Sequence, residues 1–123
     1  MKSELQIKQL AFLEETCQHY NNTNRNYSSD LQSCMYAPVS DKSEGCAISR
    51  KIADKELCKE LDTLGGVSRD CVFELLPSEL KDLEQEFLTQ IQVLHDGSQF
   101  WVKNGLSERG LEKKQEIIDR FDL

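Results

Sequence analysis

Ser78-Glu79-Leu80-Lys81-Asp82-Leu83-Glu84-Gln85-Glu86-Phe87-Leu88-Thr89-Gln90-Ile91-Gln92-Val93-Leu94-His95-Asp96 is the stretch that decides the fold class. Leu80, Leu83, Phe87, Ile91 and Leu94 recur at intervals of three and four, the spacing that lines one face of an α-helix. Glu79, Asp82, Glu84 and Glu86 crowd its first half, where negative charge complements the positive end of the helix dipole. Pro77 stops the segment before it, and Asp96-Gly97-Ser98 ends it. The reading is one long helix over residues 78–96, the spine of a mainly α protein.

Downstream, Phe100-Trp101-Val102 is a short apolar cluster and Asn104-Gly105 a turn. Trp101 reads as a core plug; an exposed Trp101 would instead mark a partner-binding hot spot. A last helix starts near Ser107, with Leu111, Ile117, Ile118 and Phe121 expected to face inward. Upstream, Ser3-Glu4-Leu5-Gln6 has capping-box form, and Leu10, Leu13, Cys17 and Tyr20 continue at helical spacing. Asn21-Asn22-Thr23-Asn24 then favours a turn. Asp54 is a candidate N-cap for a helix carrying Leu57, Cys58, Leu61 and Leu64, which Gly65-Gly66 terminates. Ser68 is read as capping one more turn, with Val72, Phe73, Leu75 and Leu76 inward.

The exception to helical patterning is Cys34-Met-Tyr-Ala-Pro-Val-Ser-Asp-Lys-Ser-Glu-Gly-Cys46-Ala-Ile-Ser-Arg50, two β-prone pieces around a turn-rich centre. The expected architecture is a single helical domain over residues 1–123, with four or five helices and a short two-stranded hairpin near residues 34–49.

A chain of 123 residues supports one modest core. With 38% hydrophobic and 30% charged residues, that core is thin and the helix faces are long and solvated. The net charge of -7 argues against general nucleic-acid binding, which needs clustered Lys and Arg. Residues 78–123 carry six basic and ten acidic side chains and dominate the field, a charge that steers a basic partner or serves solubility. Five cysteines without a Cys-x-x-Cys pair, after a polar N-terminus, suggest a reducing cytoplasm. No run of 18 apolar residues occurs, so no membrane span is expected.

Three groups invite a chemical reading. Arg50 and Lys51, with Arg69, are a basic concentration beside turn-rich backbone, and Tyr36 offers a ring and a hydroxyl. Together they are the candidate ligand-binding set for a small anionic, nucleotide-like molecule. The plain alternative is surface pairing with Asp54, Glu56 and Asp70. Cys34 and Cys46 lack zinc-motif spacing with Cys58, Cys71, His19 or His95, and read as small buried hydrophobes. His95-Asp96 reads as a helix C-terminal cap, since consecutive helical side chains do not face one another. No catalytic residue, metal ligand or cofactor is assigned.

The chain resembles a group of small uncharacterised proteins of bacterial and tailed-phage genomes. The counterparts of their recurring motifs are Cys34-Met-Tyr36, Gly45-Cys46-Ala47-Ile48-Ser49-Arg50, Ile52-Ala53-Asp54, Leu75-Leu76-Pro77, His95-Asp96 and Trp101. They fall in the same order over roughly residues 30–121. Ser49 stands where that pattern has Gly, and Ala53 where it has Pro. The resemblance implies a genomic setting and no established activity.

The leading functional expectation is a non-catalytic binding protein, an accessory factor of a phage or mobile element. It would occupy a host protein or sequester a small anionic host ligand. A small hydrolase or transferase using Cys46 and His95 is the alternative from another class, and a zinc-stabilised structural module is the third. Homo-oligomers through an apolar helix edge stay open.

Overall fold

The computed structural model describes residues 2–25, 27–28, 33–37 and 45–123, with residues 27, 28, 33 and 34 described in their backbone alone. Within them the chain forms α1 (Glu4–His19), β1 (Tyr27–Ser28), β2 (Ser33–Cys34), α2 (Lys55–Leu64), α3 (Asp70–Leu75), α4 (Ser78–Lys81), α5 (Gln85–Asp96), β3 (Trp101–Val102), β4 (Gly105–Leu106) and α6 (Glu108–Arg120). The mainly helical class with a small two-stranded hairpin is the class expected.

Local chemistry sets the helix starts. The Ser3 hydroxyl accepts from the Gln6 amide at 3.1 Å, and the Gln6 side chain accepts from the Ser3 amide at 2.7 Å, closing the capping box. Asp54 Oδ1 accepts the Glu56 and Leu57 amides at 3.0 and 3.2 Å to start α2. Ser107 does the same for α6 through the Gly110 amide.

The expected single helix over residues 78–96 is two helices. Glu84 is extended (φ -68°, ψ 133°) and restarts the chain as the N-cap of α5. Its amide, which a continuous helix would give to Leu80, donates instead to Oε1 of buried Gln9 on α1, at 2.9 Å. The break also creates a second positive helix end beside Glu84 and Glu86 and separates crowded carboxylates. The apolar seam survives it, since Leu80, Leu83, Phe87, Ile91 and Leu94 are all buried.

α5 is the central helix. Phe87 meets Phe12 of α1 edge to face at 6.2 Å and Phe121 after α6 at 5.5 Å. Leu13, Ile48, Ile52, Cys58, Leu61, Val72 and Ile117 complete the buried cluster around it. Two expected core residues are outside it: Leu75 and Leu111 are 40% and 56% exposed. Val72 and Leu76 take the inward positions of α3. On α6 the residue against the core is Gly110, whose Cβ, if it had one, would collide with the Phe100 carbonyl. Leu111, one step around the helix, therefore points outward. Ser68 does not cap α3; Arg69 occupies that position without a side-chain cap.

The hairpin is also displaced. Trp101 pairs with Leu106 and Val102 with Gly105 across a two-residue turn, and these are β3 and β4. The expected pairing near residues 34–49 lies partly outside the described residues, in 38–44. Its described ends do not pair with each other: Cys34 pairs backward with Tyr27, while residues 45–48 form a turn into one 3-10 turn, Ser49–Lys51. The cause is local hydrogen bonding. The Tyr36 and Ala37 amides both donate to the Asp62 carboxylate, at 2.7 and 3.1 Å, and the Cys46 amide donates to Ser49 Oγ at 2.8 Å.

Candidate functional site

Gly45-Cys46-Ala47-Ile48-Ser49 is the buried centre of the molecule. Gly45 adopts φ +99°, where a side chain is strained, and a Cβ there would meet Ser49 Oγ. The Ser49 hydroxyl donates to the Tyr36 carbonyl and accepts from the Cys46 amide. The serine thus ties the two described arms together at a position where nothing requires glycine.

The proposed ligand-binding residues fall into two places. Tyr36 is buried, and its hydroxyl donates to the Gly65 carbonyl at 2.9 Å while accepting from Gln92 at 2.8 Å. Burial pushes that phenol well above the usual tyrosine range. Arg69 lies against the same Gly65: a methyl group there would sit 3.1 Å from Arg69 Nε. Arg50 and Lys51 turn the other way, onto α1. Both ion-pair with Glu15 Oε1, at 2.6 and 2.5 Å, and Arg50 also reaches Thr16 Oγ1 and stacks over Phe12 at 5.5 Å. Lys51 first and then Arg50 hold the Glu15 carboxyl down to about 2. These partners are not the Asp54, Glu56 and Asp70 suggested by proximity in sequence.

Lys51 also lines a groove of about 270 Å³ between α1 and α4. Phe12, Leu80 and Leu83 line it with Lys8, Glu79 and Asp82.

The C-terminal end of α5 is the most constructed place in the fold. The last four carbonyls of a helix lack helical partners, and here each has one. Leu94 O accepts Trp101 Nε1 at 2.8 Å, Arg25 Nη1 donates to His95 O and Asp96 O at 3.1 and 3.0 Å, and Gly97 O accepts the Phe100 amide at 3.0 Å. Trp101 is buried, as expected of a core plug. Arg25 is a helix-capping guanidinium that sequence reasoning missed, because nothing in an Asn-rich loop says which helix end it will reach.

His95 and Asp96 do face each other, contrary to expectation: Nδ1 lies 2.7 Å from Asp96 Oδ1. The bond is possible because Asp96 is the last helical residue, where the backbone no longer holds it on a helical face. His95 is fully buried, its ring edge-to-face with Tyr20 at 4.7 Å, and its Nε2 has no hydrogen-bond partner among the described residues.

Cys46 is buried, and burial pushes its thiol up to about 11. A buried, protonated thiol is a poor nucleophile at neutral pH, and His95 is closed to solvent, so this pair does not form an accessible dyad. Cys17 is likewise raised to about 11 and Cys58 raised, both by burial. Among the described residues, no group of three or more His, Cys, Asp or Glu is placed to hold a metal ion. Nor is any helix among them long and apolar enough to cross a membrane.

No family model, curated protein or solved structure matches the chain.

Proposed function

We propose that the chain is a non-catalytic binding protein that grips a basic face of a protein partner. The observation that carries this reading is an acidic strip from α3 to the first turn of α5. Asp70, Glu74, Glu79, Asp82, Glu84 and Glu86 are all exposed along it, with Lys81 interposed and Lys8 and Lys51 lining the groove that Glu79 and Asp82 share. Glu86 pairs with Arg120 at 2.7 Å and Asp70 accepts from Gln85, whereas Glu74, Glu79, Asp82 and Glu84 have no side-chain ion pair among the described residues. Carboxylates left unneutralised this close together repel one another, and a cationic surface relieves that repulsion while gaining rate by steering.

The opposite version, a small anion held by Arg50, Lys51 and Arg69, has less support. Glu15 already engages both of the first two and offsets one of their two charges, and Arg69 lies elsewhere. The role as a phage or mobile-element accessory factor that occupies a host protein rests on the motif resemblance over residues 30–121.

The test is affinity capture of host proteins by three forms of the chain: wild type, Glu74→Lys/Glu79→Lys/Asp82→Lys, and Lys51→Ala/Arg69→Ala. The expected result is a basic protein retained by the wild type and by the Lys51/Arg69 variant, released by salt, and lost with the reversed strip. Retention by the reversed strip together with loss in the Lys51/Arg69 variant would move the function to the basic residues.

A further inference from the structure

We propose that the cleft at the C-terminal end of α5 is a receptor pocket for one arginine side chain of that basic partner. The inference deepens the reading of the chain as a binder of basic proteins and rests on it. The cleft encloses about 390 Å³, near the lower end of ligand-sized cavities, which suits a side chain and not a helix. One wall is Val93, 44% exposed, and another is the half-buried ring of Phe100. Asp96 supplies the charge.

The carboxylate is positioned in advance. Its Oδ1 is held 2.7 Å from His95 Nδ1, and its side chain is still 44% exposed, so Oδ2 remains for a ligand. Behind it His95 is fixed by burial against Tyr20, so the group does not have to be ordered when a ligand arrives. Arg25 is the cation at this helix end, and it binds the carbonyls of His95 and Asp96 and Ser98 Oγ, not the Asp96 carboxylate. The other polar groups of the lining are uncharged: Ser68, Thr89, Gln92 and Gln99.

Two of these are already committed: Gln92 bridges the Val67 amide and the Tyr36 hydroxyl, and Thr89 donates to Gln85 O. Ser68 and Gln99 are left as acceptors. A carboxylate, two neutral acceptors and an aromatic wall match a planar guanidinium with its fork of N–H donors better than a compact ammonium.

The pocket is continuous with the acidic strip. Gln85 binds Asp70 through its side-chain amide, and Thr89, Gln92 and Asp96 follow it on the same side of α5 at helical spacing. Asp96 lies eleven residues beyond Gln85, about 16 Å along the helix axis. A basic segment lying along the strip would therefore reach the pocket with its end.

The test is a nuclear magnetic resonance titration of the isotope-labelled full chain with N-acetyl-arginine methylamide, beside its uncharged citrulline counterpart. Saturable shifts of the Val93, Gly97, Gln99 and Phe100 amides are expected with the arginine probe only. Asp96→Asn keeps an oxygen for His95 Nδ1 and removes the charge, and should weaken the apparent affinity about tenfold. Val93→Lys, at an exposed position that does not disturb the His95 contact, should weaken it comparably. Equal responses to the two probes, a wild-type response in both variants, or shifts centred on Glu74, Glu79 and Asp82 would each overturn the pocket. The titration needs no partner, so loss of host-protein capture leaves it standing, and its own failure leaves the acidic strip standing.

Discussion

Gln9 Oε1 accepts the Glu84 amide at 2.9 Å, across 75 residues of sequence. This contact coincides with the point where the apolar seam of residues 78–96 stops being one helix. A buried side chain of α1 offers the acceptor that would otherwise be the carbonyl of Leu80, and α5 starts afresh with Glu84 and Glu86 at its positive end.

Replacing that acceptor should destabilise the fold modestly. Gln9→Leu leaves the Glu84 amide without its partner but also removes Gln9 Nε2, which is buried and has no partner among the described residues. The opposing effects give an expected loss of about 1 kcal/mol, the scale of one net hydrogen bond. Gln9→Glu should cost more, because it buries a carboxylate beside Glu84. Urea unfolding midpoints of the two variants check the order, and equal midpoints would contradict it.

Helix starts were legible in the sequence because their chemistry is local. Ser3, Asp54 and Ser107 each cap within three residues of themselves, and each does so in the structure. Distant partners were not legible. Nothing near residue 84 announces Gln9, nothing in the Asn-rich loop says that Arg25 will close α5, and Glu15 precedes Arg50 by 35 residues. Leu111 misled for another reason: hydrophobicity alone does not show that Gly110 occupies the tight contact with Phe100. The Asp96 cleft was hidden because a pairing of consecutive residues depends on where the helix ends, which sequence fixes only to within a residue or two.

Core truncations should rank by burial and aromatic contact. Phe87 is fully buried between Phe12 and Phe121, so Phe87→Ala should cost about 3–5 kcal/mol. Leu83, 7% exposed at the break between helices, should cost less, about 2–3 kcal/mol, because its surroundings can close in. Thermal or urea melts decide, and an unchanged melting temperature for Phe87→Ala would remove α5 from the centre of the core.

The pH dependence should come from Glu15 on the acid side and from several buried groups, Cys46 with Cys17, Cys58 and Tyr36, on the alkaline side. Glu15 falls from an ordinary 4.5 to about 2 in the folded chain, so its contribution is present above pH 4.5 and fades as pH drops toward 2. The effect is small, since Glu15 is half exposed and screened by solvent. Cys46 is raised from 9 to about 11, so its contribution is present below pH 9 and is lost as pH rises through 11. Glu15→Gln should flatten the acid limb of a stability–pH curve, and Cys46→Ala should make the alkaline limb shallower without removing it, because Cys17, Cys58 and Tyr36 still contribute, with each variant leaving the other limb in place.

Thiol labelling should separate the cysteines by burial and not by position in the sequence. Cys71 is exposed, Cys17 half-buried, and Cys46 and Cys58 buried. In a Cys34→Ser background at neutral pH, a maleimide should modify Cys71 first and Cys17 more slowly. Cys46 and Cys58 should react only as fast as the fold opens, and denaturant should bring all four to a common rate. Because Cys46 sits in the turn that Ser49 holds against the Tyr36 carbonyl, Ser49→Ala should speed Cys46 labelling more than that of Cys58 on α2. Rapid modification of Cys46 in the wild type would show that the turn opens readily, and would restore it as an accessible nucleophile.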